Sequence, residues 1–177
     1  WTWSRTSPQA CGLRIAIHFG GVPGTPATPT GWPTFYIEEY AGMASVFQSQ
    51  ILSLISGGVF HHFPELQVIL LESGWTWLPS LMWRFDKDWK GIRREIPWLK
   101  QSPSELIRKH IRFSLTPTDA PPRGDALLEI MDQIGSEELI LYSSDYPHNH
   151  GSNLPAGLPE NLARKIMSEN ARAFYGF

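Results

Sequence analysis

The chain has a single cysteine, Cys11, among its 177 residues. One thiol closes no internal disulfide, so a reducing, cytoplasmic setting is expected. Charge is scarce too. Lys, Arg, Asp and Glu make up 18% of the chain, below the one-quarter or so of ordinary globular domains. Hydrophobic residues reach 42% and the formal net charge is -2. This composition argues against a disordered chain. With no basic excess and no basic amphipathic helix, neither nucleic acid nor a membrane surface is an expected partner. Apolar runs such as Val68 to Leu71 fall far short of the roughly 20 residues that span a bilayer. No charged stretch leading into an apolar one opens the chain, so no signal peptide is expected. Phosphate loops of the GxGxxG or GxxxxGK[ST] type are missing, which weakens a nucleotide-binding reading. The chain opens at Trp1 instead of Met, and "WTWSRTSPQACGLRIAIHFGG" reads as the end of a helix running into a strand. The chain is therefore expected to begin inside a larger design.

What is present is an alternation of buried strands and amphipathic helices. Residues 14–19 read as an apolar strand stopped by two glycines, followed by the Gly/Pro/Thr-rich loop "GVPGTPATPTGWPT". Such a long loop in a compact domain is usually functional or disordered. Val46, Phe47, Ile51, Leu54 and Ile55 fall at helical spacing within 40–62, interrupted by Gly57 and Gly58 and ended by Pro64. Residues 66–74 form the second strand. Pro79 opens a helix whose inward stripe is Met82, Phe85, Trp89, Ile92 and Ile96, with Trp83 also expected to pack toward the sheet. Ser102 and Glu105 bracket Pro103 as a capping box. Residues 111–115 form a third strand, and 124–135 a helix closed by Gly135. Residues 139–145 form the fourth strand, and 159–175 a last helix with Leu162, Ile166, Ala173 and Phe174 inward. Strands apolar on both faces mark a parallel sheet covered by helices. Two architectures fit: a doubly wound sheet, or four units of a (β/α)8 barrel. A whole barrel needs about 250 residues.

Parallel α/β folds carry their chemistry at the C-terminal strand ends. The four strands end at His18, at Glu72, near Thr116 and Thr118, and at Asp145, with His148 and His150 just beyond. Imidazoles and carboxylates on one rim suit a divalent cation, which acidifies a bound water for a nearby carboxylate to deprotonate. Each residue also has a plainer role. A lone histidine at a strand end is commonly structural, and an aspartate there often caps the next turn. His61, His62 and His110 close helices, where the dipole favours them, and are expected to be solvated. The shared placement at three strand ends singles out His18, Glu72 and Asp145. Trp75 and Trp77 directly follow the second strand and could wall a pocket, although core packing suits most tryptophans better.

The segments "GVFHHFPELQVILLESGWTWLPSLMWRFDKDW", "LILYSSDYPH", "ENARAFYGF" and "IAIHFGG" resemble the amidohydrolase-related (amidohydrolase 2) family. The likeness runs from about residue 12 to the end. It implies a metal-dependent (β/α)8 TIM-barrel enzyme in which this chain supplies strands 5–8 and their helices. Residues 1–177 would be the C-terminal half of one barrel domain, with the N-terminal half absent. The resemblance implies His18 and Asp145 as metal ligands, Asp145 or Glu72 as proton carrier, and His148 as a group that orients Asp145 or touches substrate. Two departures carry weight. Family decarboxylases, such as aminocarboxymuconate-semialdehyde and resorcylate decarboxylases, have a catalytic histidine where this chain has Glu72. The His-x-His or Glu-x-His pair of the family's first strand has no counterpart on a strand here. Two protein ligands would remain where catalytic zinc usually has three.

The expectation is a metal-dependent hydrolase whose metal-bound water attacks a carbonyl-type electrophile of a small molecule. Zinc is the expected metal and manganese the other candidate. Catalysis is expected from Asp145, Glu72 and His148, metal binding from His18 and Asp145, and a substrate wall from Trp75 and the Gly/Pro/Thr loop. The alternatives are a nonoxidative decarboxylase of the same fold, or an inactive fragment serving as an assembly module. A homodimer is compatible with the sequence, but no motif specifies one.

Overall fold

Ile15 pairs with Val68, Val68 with Ile111, and Phe113 with Ile140, in each case in parallel. These contacts set four strands side by side in chain order in a computed structural model. It describes residues 12–19, 30–120, 123–148, 154 and 156–177. The strands are β1 (Ile15–His18), β2 (Val68–Leu71), β3 (Ile111–Ser114) and β4 (Ile140–Leu141). The helices are α1 (Tyr36–Ser56), α2 (Val59–His62), α3 (Leu78–Ile92), α4 (Pro103–His110), α5 (Gly124–Ile134), α6 (Glu160–Arg164) and α7 (Asn170–Tyr175). Parallel neighbours need crossover connections, and the helices between successive strands supply them.

Both sheet faces are apolar for a reason. Val68, Leu70, Ile111 and Phe113 pack with Phe47, Ile51, Met82, Ile107 and Leu127 in the main core. On the opposite face, Ile69 and Leu141 pack with Phe174 of α7. Each such side chain contributes about 1.5–3 kcal/mol when fully buried. His18 lies in register with Leu71, and Ile15 and Ile17 already join the main core. Strand alternation therefore puts His18 on the Ile69 face.

Local sequence sets the helix limits. Glu38 accepts the Thr34 N–H (2.7 Å) and so starts α1 at Tyr36, one turn before the expected residue 40. Gly58 ends the long helical run in a left-handed conformation, with φ +73°. Its bare Cα is required, because a Cβ would stand 2.9 Å from the Trp98 ring. Ser102 and Glu105 form the anticipated capping box on α4, and Gly135 closes α5 at φ +71°.

Four expectations need correction. Trp83 (59% exposed) and Ile92 (57% exposed) do not face the sheet. Trp83 sits one residue beyond buried Met82, about 100° round the helix. Ile92 is the last residue of α3 before a 3-10 turn (Arg93–Glu95), so the stripe does not continue. Ala173 is exposed while Phe174 is buried, because a π turn (Lys165–Glu169) shifts the helical phase.

His110 is the fourth correction. It is buried, stacks on Phe60 with centroids 4.4 Å apart, and its Nδ1 donates to the Leu66 carbonyl at 2.8 Å. Desolvation lowers its pKa, and the Leu66 carbonyl only partly opposes that. Folding therefore favours the neutral ring. Below its ordinary value near 6.5, the unfolded chain binds the proton that the folded one refuses, so stability falls with pH. Urea midpoints measured from pH 8 to pH 5 should decline below about pH 6.5. In His110→Gln that part of the slope should disappear. An identical slope in the variant would refute the assignment.

Candidate active site

The C-terminal ends of the four strands bring His18, Glu72, Thr116 and the Ser143–Asp145 stretch to one rim. His18 Nδ1 lies 2.7 Å from the Phe19 carbonyl, and Nε2 lies 2.9 Å from Glu72 Oε1. A carbonyl only accepts, so Nδ1 carries a proton and donates it to Phe19. Nε2 then donates to the carboxylate only when the ring carries its second proton. The Phe19 carbonyl first, then the Glu72 carboxylate and the charge of Asp145, raise the His18 pKa, while burial opposes them. The His18 side chain is 53% exposed, so solvent screens much of this attraction.

Glu72 and Asp145 share an unusual backbone. With φ +57° and +53°, they are the only left-handed residues other than glycine among those described. That conformation costs an L-residue about 1–2 kcal/mol. Such strain tends to gather at functional sites. Asp145 is largely shielded, and its oxygens lie 3.2 and 3.3 Å from His148 Nδ1. The His148 backbone N–H also donates to the Asp145 carbonyl at 2.8 Å. Of the expected site residues, the structure therefore joins His18 to Glu72 and Asp145 to His148.

Buried hydroxyls connect the strand ends below these side chains. Ser114 Oγ accepts the Glu72 N–H at 2.8 Å and donates to the Thr116 carbonyl at 3.0 Å. Thr116 N–H donates to Ser143 Oγ at 3.1 Å, and Thr116 Oγ1 donates to the Ser143 carbonyl at 2.7 Å. Ser114 and Ser143 had no sequence signal beyond their place at strand ends. Asp119 was also missed. Its carboxyl packs on Gly74, where a Cβ would stand 2.1 Å from Oδ2, and Thr76 Oγ1 donates to its backbone carbonyl at 2.7 Å. Although the residue keeps one exposed side, desolvation of the carboxyl raises its pKa. Gly74, left-handed at φ +60°, was the one available hint.

Other expected features lie elsewhere. Trp75 has no exposed surface and belongs to the main core, so in this arrangement it fills the core and lines no open pocket. His150 and most of the Gly/Pro/Thr loop lie outside the described residues. A cleft of about 910 Å³ is lined by Arg108, Met131, Glu137 and Lys165 among others and contains none of the rim residues. Arg108 precedes β3, and Glu137 precedes β4, so this cleft marks the end of the sheet away from the chemistry.

The donors on the rim suit a divalent metal in kind. A histidine whose Nδ1–H is held by a backbone carbonyl matches the usual support of a metal-ligating imidazole, and a metal there would displace Glu72 from Nε2. They fall short in number. Among the described residues, no three His, Cys, Asp or Glu side chains come together as a metal site.

The sequence model of a family described as Amidohydrolase matches residues 5–177. The fold is similar to that of an amidohydrolase from Mycobacterium avium subsp. paratuberculosis K-10, with a TM-score of 0.71 and 24% identity over 96% of this chain and 43% of the other. It is similar to a dihydroxybenzoic acid decarboxylase from Polaromonas sp. JS666, solved with manganese and the inhibitor 2-nitroresorcinol. There the TM-score is 0.68 and the identity 22%, over 96% of this chain and 51% of the other. A 2,6-dihydroxybenzoate decarboxylase from Rhizobium gives a TM-score of 0.67 at 22% identity, over 96% and 53%. The chain thus spans about half the length of these proteins. Its four β/α units correspond to part of their barrel.

Proposed function

The chain belongs to the amidohydrolase family, and from that premise we propose that it carries the strand 5–8 side of a metal-dependent hydrolase site acting on a small molecule. The observation that carries this reading is the His18–Glu72 contact across the ends of β1 and β2, 2.9 Å long, with Glu72 held at φ +57°. His18 Nε2 and the Asp145 carboxylate would hold the metal, zinc or manganese. That ion supplies Lewis acidity, which acidifies water and polarises a substrate oxygen.

The chain's own residues do the rest. Phe19 fixes the tautomer of His18 by accepting its Nδ1–H. His148 keeps Asp145 oriented through a ring contact and a main-chain hydrogen bond. Glu72, reachable by solvent, accepts a proton from water and returns it to the leaving group. A carboxylate suits that exchange because one oxygen can both accept and release the proton. Among the described residues no third ligand joins these two, and we place the others in the part of the barrel that the solved structures contain and this chain does not cover.

A second reading is supported by the likeness to decarboxylases, one of them solved with manganese. There Glu72 would donate a proton to the carbon that loses carbon dioxide. Product analysis separates the readings, since only decarboxylation releases carbon dioxide. Metal content tests what they share. Elemental analysis of the full-length protein, with the rest of the barrel present, should find near-stoichiometric zinc or manganese, lost in the His18→Ala, Asp145→Ala double variant. Equal metal in both proteins, or none in either, would refute the assignment of these ligands.

A further inference from the structure

The two left-handed carboxylates do not hold their backbone conformation alone. Resting on the site reading above, we propose that Ser114 and Thr116 are positioning residues, a buried hydroxyl clamp that fixes Glu72 and Asp145 relative to one another.

The clamp spans three strand ends. Its first link is the Glu72 N–H on Ser114 Oγ, at the residue whose φ is +57°. Its second is the Ser114 hydroxyl on the Thr116 carbonyl. Its last two run from Thr116 N–H and Oγ1 to Ser143 Oγ and the Ser143 carbonyl. Ser143 stands two residues before Asp145, where φ is +53°. Between them, Ser144 Oγ accepts the Tyr146 N–H at 3.3 Å and helps to turn the chain.

Ser114 and Thr116 are both 2% exposed, so water cannot replace these bonds. Neither residue reaches the rim with a titrating group, and neither touches His18. Their hydroxyls act on main-chain atoms. A left-handed Glu72 that lost its N–H acceptor would relax toward an ordinary strand conformation. Its carboxylate would then swing away from His18 Nε2. Relaxation of the Ser143 end would similarly move Asp145.

The test uses the intact protein with Co(II) as a spectroscopic probe. Ser114→Ala removes the acceptor for Glu72. Thr116→Val keeps the shape of the side chain and removes its hydroxyl bond to the Ser143 carbonyl, one of the two links to Ser143. Thr116→Ser restores the hydroxyl. Each of the first two should weaken Co(II) binding about 10–100-fold, the usual effect of losing support behind a ligand. Each should also change the visible spectrum of the bound ion, and kcat should fall more than KM rises. Thr116→Ser should return affinity and spectrum to nearly the wild-type values, which a merely structural loss of packing would not explain. In the metal-free protein, Thr116→Val should shift the Glu72 backbone amide resonance and speed its hydrogen exchange, although residue 116 touches neither carboxylate. Unchanged affinity and an unchanged Glu72 amide in Thr116→Val would overturn the clamp. If the wild-type protein takes up no Co(II), the metal reading fails by itself. The clamp then stands or falls on the amide measurement.

Discussion

Glu72→Gln should lower kcat by about 10²–10⁴-fold while leaving KM within a few-fold, the range expected when a positioned proton carrier is removed. Glutamine keeps the length of the side chain and can still meet His18 Nε2, which lies 2.9 Å from Oε1 in the wild type. It keeps the backbone N–H that Ser114 accepts. What it lacks is a carboxylate oxygen that can take up and release a proton. Packing and the proposed metal ligands stay in place, so the loss should appear in turnover and hardly at all in thermal stability. Steady-state kinetics of the intact protein, beside a melting curve, provide the check. A kcat within threefold of wild type would exclude Glu72 as the proton carrier and move that role to Asp145. Asp145→Asn then becomes the discriminating variant, because the His148 ring contact survives it in a weaker form.

Trp75→Ala should cost about 3–5 kcal/mol, the range for truncating a buried tryptophan or phenylalanine. Trp75 is completely buried and is among the largest side chains in the main core. It lies directly after the Glu72–Gly74 turn, and the cavity would open in the main core. In a chain of 177 residues, each kcal/mol moves the melting midpoint by about 2–4 °C, which gives a drop of roughly 10 °C. Trp75→Phe should cost far less than alanine. The indole Nε1 has no hydrogen-bond partner among the described residues, so phenylalanine removes a buried donor that earns no bond there. Calorimetry on both variants checks the contrast. Equal losses would mean that the indole N–H is bonded and that Trp75 does more than fill space.

These effects differ in how far they could be read in advance. Glu72 was legible because a carboxylate ending an apolar strand has few structural reasons to be there. The capping box at Ser102 and Glu105 and the terminating Gly135 were legible because each acts within four residues of itself. Asp145 and His148 were legible as neighbours, and the structure adds their contact. His110 was read wrongly, since its neighbours in the chain are a helix end while its partners, Phe60 and Leu66, lie more than forty residues away. Trp83 and Ile92 were placed inward because a periodic stripe says where a helix could bury itself, not where the helix stops.

By itself, the sequence determined the alternation of strands and helices, the parallel sheet, and the residues that end each strand. Those properties follow from the spacing of apolar residues and from glycine, proline and capping side chains, all of which act locally. Only the tertiary structure decided that His18 meets Glu72, that Trp75 is buried in the main core, and that both carboxylates take left-handed backbones tied through Ser114, Thr116 and Ser143. The bond from Ser114 to Glu72 joins residues 42 apart, and the bonds from Thr116 to Ser143 join residues 27 apart. A left-handed glutamate or aspartate is disfavoured wherever it is considered alone. It persists here because partners brought by neighbouring strands satisfy its backbone, and no local reading of the chain contains those partners.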